Sequence, residues 1–357
     1  MLNKNLKLSK LFSDLSDKRI LITGGCGFIG TNLIEMLLTY TNAKITNIDN
    51  LSYASVSNYS NNTGVLPNYK FYQIDLKNKE KIDEVFNIEQ PQFVIHCAAE
   101  SHVDNSISSS SEFIDTNIIG TYHLLESSKD YLKKANVAFK NSFQFLYMST
   151  DEVYGDAEGS ENLKFSETSP IRPSSPYAAS KAAGDTMVMA WNRTYSIPAI
   201  ITRCSNNFGP YQNIEKLIPK VVSNSIQGFP IPLYGDGQQI RDWIYVKDHI
   251  IAVLTVLING LDGEIYNISS ENCISNTKIL TQIQQHISKK YNKNFFDLQK
   301  LVFSATDRLG HDRKYALSSE KIRVGLGWKP IFDFTSALNE TVEILAEMYE
   351  KNILKAS

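Results

Sequence analysis

Residues 20–30 read Ile-Leu-Ile-Thr-Gly-Gly-Cys-Gly-Phe-Ile-Gly, an apolar run that passes through Gly24, Gly27 and Gly30 into a helix-like stretch. No other feature constrains the fold as much. A strand that turns through glycines straight into a helix opens a β-α-β unit, and such units build parallel sheets. Glycine suits the turn because the backbone must approach a pyrophosphate closely and adopt φ > 0. The following helix offers free N–H groups and a positive dipole to the phosphates. A tight turn needed only for steric reasons would carry the same glycines. The context separates the two readings. A second apolar strand ends at Asp49, nineteen residues after Gly30. There a carboxylate accepts hydrogen bonds from a ribose diol, and it favours NAD over NADP because it repels a 2′-phosphate. Asp75, after the third apolar run, reaches an adenine or caps the next helix; both readings stand.

The rest of the first half keeps this rhythm. Strands are expected at residues 19–23, 44–48, 71–75, 93–98, 143–149 and 198–203, with helices near 28–40, 79–86, 112–131 and 177–195. The strands are rich in Ile, Val, Phe and Tyr without strict alternation, so both sheet faces should be covered. The fold class is α/β: a Rossmann-like doubly wound parallel sheet with a smaller, interleaved C-terminal domain. After Arg203 the turn residues cluster at Gly209-Pro210, Pro219, Gly228, Pro230, Pro232, Gly235 and Gly237. Helices are expected at 246–259, 277–288 and 336–349 and a strand at 264–268. We divide the chain into an N-terminal extension (1–18), a dinucleotide half (19–203, with part of 246–270 returning to it) and a substrate half (204–357). Leu2, Leu6, Leu8, Leu11, Phe12 and Leu15 fit a short amphipathic helix or a loose tail.

Composition excludes several classes. Across 357 residues, 36 Lys and Arg oppose 38 Asp and Glu without long runs of one sign, which argues against a nucleic-acid binder. No apolar run is long enough to span a membrane, and the N-terminus lacks the apolar core of a signal peptide. Cys26, Cys97, Cys204 and Cys273 are scattered and form no C-x-x-C pair, so no metal site is expected. They read as reduced core thiols in a cytoplasmic protein.

Two constellations carry chemistry. Tyr177 and Lys181 share a helical face, behind the helix-start signal Ser174-Ser175-Pro176. An ammonium beside a phenol lowers its pKa, so the tyrosine can take a hydroxyl proton as hydride leaves the same carbon. The second is Thr150-Asp151-Glu152 at the carboxyl end of an apolar strand, where parallel sheets bind ligands. Adjacent acids supply one acid and one base if their surroundings split their pKa values. A surface Tyr-Lys pair and an exposed acidic turn are the plainer readings. His96 reads as a core residue, and Met148, Met187 and Met189 as packing.

The motifs together resemble the extended short-chain dehydrogenase/reductases, and among them the nucleotide-sugar 4,6-dehydratases. They are His96-Cys-Ala-Ala-Glu-Ser-His-Val-Asp104, Ser149-Thr-Asp-Glu-Val-Tyr-Gly155, Pro173-Ser-Ser-Pro-Tyr-Ala-Ala-Ser-Lys181, Cys204-Ser-Asn-Asn-Phe-Gly-Pro210, Glu215-Lys-Leu-Ile-Pro219, Gln239-Ile-Arg-Asp-Trp243 and Thr306-Asp-Arg-Leu-Gly-His-Asp312. Gln212-Asn213-Ile214 and Phe208 depart from the family pattern, away from the catalytic set.

The resemblance implies a three-step reaction on a tightly held, regenerated NAD. Tyr177 with Lys181 oxidises C4 of a nucleoside-diphosphate glucose, dTDP-glucose favoured, while Thr150 bonds the C4 oxygen. Glu152 takes the C5 proton, Asp151 protonates the leaving C6 hydroxyl, and hydride returns to C6. Implied NAD contacts are Phe28 and Ile29 at the glycine turn, Asp49, Asn50, Leu51 and Ser52, then Asp75 and Leu76. Cys97, Ala98, Ala99, Ser101 and Thr116, with Tyr177 and Lys181, complete that set. Implied substrate contacts are Ser101, Thr150, Asn206, Lys216 and Leu217, then Pro232, Leu233 and Tyr234, and finally Arg241, Asn276, Arg308 and His311. The two arginines suit a diphosphate. A homodimer through the 112–131 and 177–195 helices is implied as well. Alternatives are a UDP-glucose 4,6-dehydratase, a C4 epimerase with no role for Asp151-Glu152, and a non-catalytic NAD-binding scaffold, which would have lost the catalytic positions.

Overall fold

Seven short apolar segments pair side by side as one parallel sheet in the computed structural model, which describes residues 6–55, 67–159 and 163–350. They are β1 (Arg19–Thr23), β2 (Lys44–Asp49), β3 (Tyr69–Gln73), β4 (Phe93–His96), β5 (Gln144–Thr150), β6 (Ala199–Cys204) and, after three strands elsewhere, β10 (Ile265–Ile268). The order is β10-β6-β5-β4-β1-β2-β3. Strand order therefore reverses between β1 and β4, the crevice where doubly wound sheets bind ligands. Alternate residues serve opposite faces. Ile20, Ile22, Ile95, Leu146 and Ile200 join one core with the helices Phe28–Tyr40 and Val246–Asn259. Leu21, Val94, Phe145, Tyr147 and Ile201 join the other with Lys79–Glu89, Thr121–Lys134 and Pro176–Tyr195.

The remaining strands form the small part over the sheet's carboxyl edge. β7 (Asn206–Phe208), β9 (Ile240–Tyr245) and β11 (Cys273–Ser275) make a three-stranded sheet, and β8 (Ile231–Tyr234) pairs parallel with β12 (Val302–Ala305). The chain leaves the main sheet after β6, returns to it at β10 and leaves again.

Three details differ from expectation. β3 begins two residues earlier, because Tyr69 pairs with Ile45 and Gln73 with Asp49, level with the start of β2. Asp75 is not the helix cap. It accepts from the Lys77 N–H at 2.9 Å in a local turn, and Asn78 caps Lys79–Glu89 by accepting from Lys81. The stretch expected as one helix at 112–131 is broken into Ser111–Phe113, a π-helical turn Ile114–Gly120 and Thr121–Lys134, and a separate short helix, Val103–Ser108, precedes it. The wide turn carries buried Asn117, whose amide bonds Glu100 O at 3.0 Å and Ser180 Oγ at 2.8 Å. Those long-range bonds reward the local distortion.

At the N-terminus the helical alternative holds. Leu6–Leu15 buries Leu8, Leu11, Phe12 and Leu15, and Phe12 stacks on Tyr40 at 5.0 Å. Leu2 lies outside the described residues. None of the four cysteines forms a disulfide; Cys26 is buried, Cys97 and Cys204 are half-buried against the core, and Cys273 is exposed. Among the described residues no helix is long and apolar enough to cross a membrane.

Candidate active site

The glycine turn is built by close approach. Gly24 has φ +71°, and a Cβ there would stand 2.6 Å from Ala98 Cα. A Cβ on Gly30 would run into the Gly24 carbonyl. Gly27 differs: a Cβ would meet only Gly24 O, at 3.4 Å, so its side-chain position opens into the cavity it lines. The turn is tied to β2, where Cys26 N–H donates to Asp49 Oδ2 at 2.9 Å and Leu51 N–H to Asp49 Oδ1 at 2.8 Å. Burial pushes the Asp49 carboxyl up, against these bonds. Its remaining lone pairs face the cavity. This cradle of bare backbone, N–H groups and one carboxylate fits a dinucleotide.

One cavity runs from this turn across the ends of β4, β5 and β6 to Lys216. Of the dinucleotide set, Gly24, Gly27, Phe28, Ile29, Gly30, Asp49, Asn50, Ser52, Asp75, Leu76, Cys97, Ala98, Ala99, Ser101 and Thr116 line it; Leu51 does not. Thr150, Asp151, Glu152, Tyr177, Lys181, Asn206 and Lys216 line the same cavity. Leu217, Pro232, Leu233, Tyr234, Arg241, Asn276, Arg308 and His311 stand outside its lining, although several act on it electrostatically.

The helix that carries Tyr177 and Lys181 starts where its sequence says. Ser175 accepts from Ala178 N–H at 3.1 Å and Pro176 occupies the first turn. Ser180 Oγ donates to Tyr177 O at 2.7 Å and is itself bonded by Asn117, so the π turn clamps this helix. Burial and the Glu152 carboxylate push the Tyr177 phenol well above the ordinary value, with the Thr150 hydroxyl acting the other way. Lys181 lies one turn further along the same helix. Its ammonium sits 4.1 Å over the Tyr147 ring and is itself pushed down to about 8, chiefly by burial.

The adjacent acids face different company. Both are pushed up by burial. Asp151 is pushed well up, with Glu152 and Asp242 adding to the effect and Arg241 opposing. Glu152 has three cations acting on it, Arg308, Arg241 and Lys216, each lowering its pKa. Asp151 is therefore the better proton holder and Glu152 the better carboxylate.

Polar groups converge at the far end. Arg308 Nε is buried without a partner among the described residues. Arg241 is buried rather than a surface arginine; it donates to Asp312 O at 2.8 Å and Ile240 O at 2.9 Å and stacks on Tyr315 at 4.2 Å. His311 Nδ1 lies 2.5 Å from Asp307 Oδ1. Lys216 Nζ donates to Ser101 O at 2.9 Å, and the Tyr234 hydroxyl to Asp104 Oδ2 at 2.9 Å. Asn206 Oδ1 and Asn276 Oδ1 are buried acceptors without donors among the described residues.

Sequence reasoning missed Asn207, Gln212 and Asn213, all on the cavity wall. Gln212 is one of the departures we set aside, yet it is buried, with Oε1 lacking a donor among the described residues. The readable signal was a run of amides from Asn206 to Asn213 beside an apolar strand. Met148, read as packing, also lines the cavity. His96 is a core residue, its ring held between Thr23 Oγ1 at 2.7 Å and Thr121 Oγ1 at 2.9 Å.

Comparison with known proteins gives consistent matches. Residues 21–341 match the model of the GDP-mannose 4,6 dehydratase family. The chain is 46% identical over 330 residues to a dTDP-glucose 4,6-dehydratase of Haemophilus influenzae, covering 91% of this chain and 96% of that one. It is 43% identical to the Neisseria meningitidis serogroup B protein of the same name, covering 91% and 92%. Among solved structures it is similar to a Streptomyces venezuelae dTDP-glucose 4,6-dehydratase with NAD and TYD bound, at TM-score 0.82 and 35% identity over 93% of this chain and 98% of that one. A Thermotoga maritima UDP-glucose 4-epimerase with UDP-glucose superposes at TM-score 0.79 and 27% identity, over 93% and 99%.

Proposed function

The chain belongs to the nucleotide-sugar 4,6-dehydratase family, and on that premise we propose that it converts dTDP-glucose to the 4-keto-6-deoxy nucleotide sugar with one NAD retained through the cycle. The observation that carries this reading is the unequal company of Asp151 and Glu152 beside Tyr177. Elimination of water needs an acid at one carbon and a base at its neighbour; epimerisation at C4 would leave both carboxyls idle.

The glycine turn with Phe28 and Ile29 would hold the pyrophosphate of NAD, Asp49, Asn50 and Ser52 the adenosine ribose, and Asp75 and Leu76 the adenine. Cys97 to Ala99, Ser101 and Thr116 line its other half. When bound, NAD would supply a reversible hydride acceptor for C4 oxidation and for reduction at C6. Tyr177 takes the C4 hydroxyl proton, Thr150 orients that oxygen, and the Lys181 ammonium supports the charge that forms. A C4 ketone makes the C5 hydrogen acidic. Glu152 removes it as a carboxylate, Asp151 gives its proton to the departing C6 hydroxyl, and C5 is reprotonated as hydride is added at C6. Arg308, whose Nε lacks a partner among the described residues, and Arg241 supply positive charge for the diphosphate, and Lys216, Asn206, Asn276 and His311 orient the sugar nucleotide.

The purified protein, offered dTDP-, UDP- and CDP-glucose in D2O, should release a product lighter by one water and deuterated at C5, fastest with the thymidine compound. An epimer without loss of water would select the other reaction, and no product from any of the three would sink the proposal. Exposed Ile107, Ile114, Ile119, Tyr122 and Tyr195 on the helices before and after β5 support a homodimer packed through that face. Four free thiols suit the cytoplasm.

A further inference from the structure

Beneath the reacting end of the cavity lies a buried charge pair that these steps do not use. Asp185 stands four residues after Lys181 on the same helix, and so on the same face. Its Oδ2 accepts from Arg203 Nε at 2.8 Å, with the two side chains 2% and 3% exposed. Arg203, on β6, also donates to the Tyr154 hydroxyl at 2.8 Å, which donates to Asn267 Oδ1 at 2.8 Å. Burying such a pair costs desolvation that its attraction barely repays, so stability alone does not account for it.

Its location does. The Lys181 ammonium rests on the Tyr147 ring, and the Tyr147 hydroxyl presses against Gly184, between Lys181 and Asp185 along the helix. The groups facing Lys181 from each packed element are His96 on β4 and Cys97 after it, Tyr147 on β5, Cys204 on β6, and Asp185 on its own helix. Burial keeps the histidine neutral and pushes both thiols up to about 12. Among the described residues Asp185 is the one anion acting on Lys181. We propose that Asp185, fixed by Arg203, is a positioning residue that holds the Lys181 ammonium in its seat on the Tyr147 ring. This rests on the reading of Lys181 as the partner of Tyr177.

The test is competitive acetylation of the protein as purified, over roughly pH 6 to 10, following Lys181 by mass spectrometry. It needs no turnover, so it stands or falls apart from the substrate panel. The wild-type midpoint should lie near 8. In Asp185→Asn it should fall by about one pH unit, and the alkaline limb of turnover should move with it; Asp185→Glu should restore both. A purely structural role would lower the melting temperature and leave the midpoint in place, and that result in folded Asp185→Asn overturns the proposal. If Asp185→Asn does not fold, the wild type still decides: a midpoint below about 7 would mean that Lys181 is not kept charged.

Discussion

Asp151 and Glu152 are neighbours of the same chemical type in unlike electrostatic surroundings. Asp151 sits among carboxylates, whereas Glu152 is faced by Arg308, Arg241 and Lys216. Replacing Glu152 by Gln should slow loss of water by about 10²- to 10⁴-fold while the first oxidation survives. Single-turnover absorbance of the reduced nicotinamide, set against deuterium uptake at C5, separates the steps; equal losses in both would remove Glu152 from its role. The identities of these residues were legible as a motif at a strand end. Their charge states were not, because the deciding cations come from distant stretches of chain. The Tyr177 phenol shows the same limit. Its spacing to Lys181 was readable, but the lysine's seat on Tyr147 depends on a strand that the spacing does not mention.

Elements with local start and stop signals were readable from sequence. Phe28–Tyr40 matched to the residue and Pro176–Tyr195 began one residue early, because a glycine turn and a Ser-Pro cap are short-range devices. The π turn at Ile114–Gly120 was not, since its reward is paid by Glu100 and Ser180 across the site. Helix Pro176–Tyr195 also carries a glycine that nothing local explains. Gly184 is where the Tyr147 hydroxyl packs. Gly184→Ala should raise intrinsic helix propensity and still destabilise the protein by about 1–3 kcal/mol through overpacking. Chemical denaturation would check this, and a stabilised variant would show that the Tyr147 contact is soft.

At the scale of the molecule, helix Val246–Asn259 packs into the larger of the two cores, and its first turn holds a titratable pair. His249 is fully buried, neither ring nitrogen has a partner among the described residues, and burial drives its pKa down to about 3. The unfolded chain takes up that proton near 6.5, so this residue costs stability as pH falls from about 6.5 towards 3, at up to about 1.4 kcal/mol per pH unit. Asp248, raised to about 6 by burial, works in the opposite sense as pH falls through that value towards 3.8. The wild-type curve therefore blurs the two. His249→Leu should remove one of them, leaving a variant whose stability relative to wild type rises steadily between pH 6.5 and 4. Parallel denaturation curves at pH 7 and pH 4.5 measure this, and an unchanged difference would mean that the ring is not held neutral.

The return of the chain to the main sheet at β10, between β9 and β11 of the small sheet, bears on inheritance. A single crossover between two related genes, anywhere from β7 to β11, would build the three-stranded sheet from two parents. The pieces that hold the dinucleotide and the sugar nucleotide cannot be exchanged as cassettes. New substrate preferences in such a lineage must accumulate by point changes in the segments over the strand ends, among them the amide run from Asn206 to Asn213.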